Sequence, residues 1–163
     1  MGTSEAPGKP GEESAPFELG TDGPSVILVG ADDSTTSIRA GWYAAGLARR
    51  QQARIVAVFV APRATFGAAG PGGAAVTVAH DEAVRATAED MEQRARVMGA
   101  ELGISISFIA ARGDPYTEIC RIADEVRADA IVVGAAAQAG HRFIGSLAVR
   151  LVKAGKWPVT VVP

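Results

Sequence analysis

The stretch from 134 to 151, GAAAQAGHRFIGSLAVRL, brings together three glycines, a serine, a histidine and two arginines. Gly134 and Gly145 let a ligand approach the backbone with no Cβ in the way. Free amides at the start of a helix after Gly145, together with its dipole, favour an anion there. Ser146 adds a hydroxyl donor, and His141 or Arg142 a charge-assisted one. A second chemical cluster stands at Asp32, Asp33 and Ser34. Asp32 suits the acceptance of hydrogen bonds from a ribose. Both acids offer the hard oxygen ligands that Mg²⁺ prefers beside phosphates. Plainer readings stand beside these: Gly after a strand and Gly-Ser at a helix start are ordinary turn chemistry, and an Asp there is ordinarily a cap.

These residues need elements to hold them. SVILVGA (25–31) and ARIVAVFVA (53–61) are continuous apolar runs rich in β-branched residues, as buried parallel strands are. ISISFIAA (104–111), DAIVVGA (129–135) and the closing WPVTVVP (157–163) read as three more. Between the first two runs, Ile38, Gly41, Trp42, Ala45 and Ala48 form one helical stripe predicted to face a core. Residues 80–102 predict the longest helix, with 62–79 before it a long loop of Gly, Pro and Ala. Asp114 and Pro115 open a third helix as cap and first residue, with Ile119, Ile122, Ala123 and Val126 as its apolar face. A fourth runs from about Ser146 to Ala154. Strands alternating with helices predict a doubly wound, Rossmann-like parallel α/β sheet with helices on both faces. Ligands of such sheets bind beyond the carboxyl ends of strands where the winding reverses. If the first and fourth strands are neighbours, Asp32 and the glycine stretch share one crevice.

Composition narrows the partners. A formal net charge of −2 offers no basic field for nucleic acid. The single cysteine, Cys120, forbids an internal disulfide and fits a reducing cytoplasm; beside an apolar helix face it reads as an inert, buried thiol. No apolar run approaches the roughly 20 residues of a membrane span, and the first residues lack a signal-peptide core. Residues 1–23, rich in Pro, Gly, Glu and Ser with Phe17 and Leu19 as large apolar side chains, predict a disordered tail ahead of a domain at 24–163. His80 and His141 lie in different segments, and neither a nucleophile triad nor zinc spacing is present, so catalysis is not expected. Trp42 and Trp157 read as core or dimer-interface residues.

VILVGADDS, ARGDPYTEICRIADEVRADAIVVGA and GSLAVRLVKAGKWPVTVVP together resemble the universal stress protein family across residues 25–163. The resemblance implies the strand order 3-2-1-4-5, which sets the first and fourth strands side by side. It also implies a homodimer through the C-terminal strand, a cytoplasmic stress-response role and, in the members that bind it, ATP with Mg²⁺. Such binders share G-x2-G-x9-G-[ST]. Gly134, Gly145 and Ser146 match that pattern, with Leu147 following. Ala137 stands where the second glycine belongs, and the loop after it is two residues short, with Gly140 and Arg142 inside it. By the same resemblance the adenine end lies against Gly30, Ala31, Asp32 and the Phe59–Val60 backbone. The alternative is a member without nucleotide that acts as a dimeric scaffold for a protein partner. A phosphoacceptor receiver is excluded by the lack of a Lys ending the last strand, and an FMN protein lacks aromatic residues placed to sandwich the flavin.

Overall fold

The computed structural model describes residues 23–62, 73–138, 141–143 and 145–163. The chain runs β1 (Val26–Ala31), α1 (Thr35–Gln51), β2 (Arg54–Ala61), α2 (Gly73–Leu102), β3 (Ile106–Arg112), α3 (Pro115–Val126) and β4 (Ala130–Gly134). It continues through β5 (Ala136–Gln138), β6 (His141–Phe143), α4 (Ser146–Ala154) and β7 (Val159–Val162). Five strands form one sheet in the order β3-β2-β1-β4-β7, every pairing parallel. This is the expected doubly wound sheet, with the order 3-2-1-4-5 counted over its own strands.

Both faces of the sheet are covered. Ile27, Val29, Ile55 and Val132 pack with the alanines of α1 and with Met98 and Leu102 of α2. Leu28, Val56, Val58, Ile131 and Val133 pack with Ile119, Ile122 and Ala123 of α3 and Ala148 and Leu151 of α4. The two sets alternate along each strand, as a sheet buried on both faces requires. Cys120 and Trp157 are half-buried against the second cluster.

Local chemistry sets the helix ends. Ser34 caps α1, its Oγ accepting from the Ser37 N–H at 3.1 Å. Asp114 caps α3 by accepting from the Thr117 N–H at 3.0 Å, and Pro115 fills a position that needs no donor. Asp129 holds the start of β1 by accepting from the Ser25 and Val26 amides, each at 2.9 Å.

Three expectations need correction. The buried stripe of α1 is Ser37, Ala40, Ala44, Ala45 and Ala48, whereas Ile38 and Trp42 stay 47% and 52% exposed. The helix lies on the sheet through its smallest side chains, and that close approach turns the two large ones aside; Trp42 is not a core residue. Helix α2 starts at Gly73, so residues 73–79 of the expected 62–79 loop are helical, while 63–72 lie outside the described residues. The stretch after β4 is not simply a loop either: β5 and β6 pair antiparallel, with Ala136 opposite Phe143. The expected disordered tail lies outside the described residues, apart from Gly23.

Candidate functional site

Strand order reverses between β1 and β4, so the loops leaving their carboxyl ends face one another. After β1, Asp32 makes a tight local turn: its Oδ1 accepts from the Ser34 N–H at 3.1 Å. Ser37, 8% exposed, closes this turn from within α1. Its Oγ accepts from the Asp32 N–H at 2.9 Å and donates to the Gly30 carbonyl at 3.4 Å. Thr36 Oγ1 donates to the Ala135 carbonyl at 2.7 Å, which fastens the first turn of α1 to the chain leaving β4. That contact explains Gly134. A Cβ there would stand 2.6 Å from the Thr36 carbonyl carbon and 2.7 Å from the Ser37 nitrogen.

A cavity of about 290 Å³ opens at this junction. Gly30, Ala31 and Asp32 line it from β1, Val58 and Val60 from β2, Val133 and Gly134 from β4. Ser37 of α1, Pro115 and Ile119 of α3 and Leu147 of α4 complete the wall. Its size lies near the lower end of small-molecule sites, roughly 300–1,000 Å³. The walls are apolar, and the Asp32 carboxylate is the one ionisable group among these residues.

The structure thus brings together six of the residues singled out by sequence: Gly30, Ala31, Asp32, Val60, Gly134 and Leu147. Phe59 is elsewhere. Successive strand residues point to opposite faces, and Phe59 lines a separate cavity of about 730 Å³ between β2, β3 and α2, beside the Arg112–Asp81 ion pair at 2.6 Å. Gly145 and Ser146 directly precede Leu147. Gly145 is the N-cap of α4 and supplies no side-chain hydrogen bond, so among the described residues no side chain caps that helix, unlike α1 and α3. A Cβ at Gly145 would lie 2.9 Å from that of Ala136, so the hairpin folds back to the mouth of α4. Ala137 and Arg142 are backbone partners within the hairpin, and Gly140 lies outside the described residues.

Sequence reasoning missed Ser37, Val58, Pro115, Ile119 and Val133. Two of these were legible: Val58 shares a strand face with Val60, and Pro115 starts α3 at the same sheet end. Asp33 does not line this cavity; its Oδ1 pairs with Arg94 of α2 at 3.1 Å. Among the described residues no group of three or more His, Cys, Asp or Glu stands together as a metal site. No helix among them is long and apolar enough to cross a membrane.

Beside the cavity wall, Arg150 of α4 grips Asp114 with two bonds, 3.0 and 3.1 Å, and lies 4.2 Å from the Tyr116 ring centroid. The Arg150 bonds, then those from Thr117, hold the Asp114 carboxyl down at about 2. The same pairing raises the Arg150 guanidinium. This clamp ties the first turn of α3 to α4, which carry Pro115 and Leu147.

Comparison with known proteins agrees with this geometry. Residues 25–163 match the universal stress protein family. Universal stress protein MJ0531 of Methanocaldococcus jannaschii is 27% identical over 138 residues, 83% of this chain and 80% of that protein. Universal stress protein UspA from Lactobacillus plantarum is 25% identical with a TM-score of 0.70, over 85% of this chain and 97% of that one. A universal stress protein family protein from Arabidopsis thaliana, solved with AMP bound, has a TM-score of 0.61 at 21% identity, over 85% and 91% of the two chains.

Proposed function

The chain belongs to the universal stress protein family, and on that premise we propose that it binds an adenine nucleotide at the junction of β1 and β4. The observation that carries this reading is the apolar cavity, with one carboxylate at Asp32 and the first amides of α4 beside Leu147. An adenine fits the apolar part, between the Gly30–Asp32 backbone and the Val58 and Val60 side chains. Asp32 accepts from the ribose hydroxyls. The amides opening α4, with Ser146, receive the phosphates through hydrogen bonds and the helix dipole. The AMP in the Arabidopsis thaliana structure supports the choice of an adenine nucleotide. ATP with Mg²⁺ is the fullest form of the reading; Mg²⁺ would neutralise the phosphates.

The role is regulatory rather than catalytic, in a cytoplasmic homodimer paired through β7. Calorimetric titration with Mg·ATP and with AMP, after extraction of any retained nucleotide, tests the site. Micromolar heat or co-purified nucleotide supports it. Asp32→Ala should then weaken binding about tenfold, the loss of roughly 1.4 kcal/mol. No nucleotide and no heat overturns it. In that outcome Ala137 and the shortened hairpin mark a non-binding member that serves as a scaffold for a protein partner.

A further inference from the structure

On the other face of the sheet, α1 and α2 stand either side of an apolar groove of about 450 Å³. Ala57 and Phe108 form its floor, Ile38 and Trp42 one wall, Met91 and Met98 the other. Trp42 is 52% exposed, and a Cβ placed on Gly41 between them meets nothing within 4 Å. Large apolar side chains gathered along an open groove mark a surface that something covers.

We propose that the occupant is the chain's own amino-terminal segment, which folds back over the last turn of α1 and seats Phe17 and Leu19 in the groove. Reach is sufficient. Gly23 lies against the Gln51 side chain at the end of α1, and extended chain covers about 3.3–3.6 Å per residue. Leu19 therefore reaches about 13 Å and Phe17 about 20 Å from Gly23. Val29, on the groove floor, lies four strand residues above Ser25, about 13 Å.

The chemistry matches as well. Phe17 and Leu19 are, Met1 aside, the large apolar residues of the first 22, and at i and i+2 of an extended segment they share a side. That segment holds Glu5, Glu12, Glu13, Glu18 and Asp22 against Lys9. Ile38, Trp42 and Arg49 lie on one stripe of α1, at i, i+4 and i+11, which places Arg49 between Gly23 and the groove. Arg49 and Arg50 are exposed in the last turn of α1, and among the described residues neither pairs with a carboxylate. Asp22, one residue before Gly23, is the acid that the sequence sets beside them. The family match starts at residue 25, so this segment is an addition to the shared domain.

Two experiments on the full chain test this. In a Trp157→Phe background Trp42 is the sole tryptophan. Adding Phe17→Ser with Leu19→Ser should shift its emission to longer wavelength and raise its quenching by acrylamide. Unchanged emission and quenching overturn the proposal. In a Cys120→Ala background, Leu19→Cys with Gly41→Cys should oxidise to a disulfide within one chain, seen as a faster-migrating monomer. Disulfide-linked dimers would give the groove to a second copy, and absence of any cross-link would leave it to some other ligand; either result overturns the proposal.

Discussion

Gly134 and Gly145 do different work at the two ends of one stretch. At Gly134 the first turn of α1 passes so close that a Cβ would overlap backbone atoms of Thr36 and Ser37. Backbone cannot yield as the tip of a flexible side chain does, so Gly134→Ala behaves as an overpacking change worth about 1–3 kcal/mol. Thermal unfolding should report it as a fall of roughly 2–4 °C per kcal/mol for a chain of this size. An unchanged Tm would mean that α1 sits farther from β4 than described. At Gly145 the neighbour is the Ala136 side chain, and the position opens α4 beside the proposed phosphate amides. Gly145→Val should therefore weaken ATP and AMP binding while the far-ultraviolet dichroism keeps its helical shape. Affinity equal to that of the unaltered chain would remove the phosphates from the amino end of α4.

The clamp between α3 and α4 makes the stability of this element pair depend on pH. The Asp114 carboxyl titrates at about 2 in the folded chain against an ordinary 3.8. A lowered folded value means that the charged form favours folding above about pH 4, and that this contribution disappears as pH falls towards 2. Asp114→Asn should lower the Tm at neutral pH and flatten its slope between pH 4 and 2, measured by calorimetry across that range. A slope as steep as that of the unaltered chain would assign acid sensitivity to other carboxylates. The amino end of α3 was legible in sequence, because Asp114 caps an amide three residues on and Pro115 needs no donor; at α1 the sequence offered several caps, and the structure uses Ser34. The strands and their order were legible too, the first from apolar runs and the second through the family resemblance. The buried face of α1 was not. Hydrophobicity favoured Ile38 and Trp42, but the distance between helix and sheet favoured alanines, and that distance is a property of the assembled fold. The hairpin of β5 and β6 also escaped, since its strands are three residues each and AAQ carries no alternation. Of the cavity lining, Gly30, Ala31, Asp32, Val60, Gly134 and Leu147 were legible from the sequence, whereas Ile119 was legible only once α3 was seen to lie across the strand ends.

At the scale of the molecule, β7 is the open question for assembly. It pairs with β4 along one side through Val159 to Val162, and among the described residues no strand covers its other side. An uncovered edge of four residues, with Val152 of α4 56% exposed nearby, leaves backbone donors and acceptors available to a second copy. Pairing two such edges across a two-fold axis satisfies both at once, because a symmetric contact matches each residue's donor with its counterpart's acceptor. Light scattering on the purified chain should thus report twice the 16.7 kDa of one chain. Replacing Val152 with Glu should shift that mass towards the monomer without unfolding it, since the side chain is exposed within one chain and needs no repacking there. A mass of one chain for the unaltered protein would refute pairing through β7, and a dimer indifferent to Val152→Glu would move the contact away from α4.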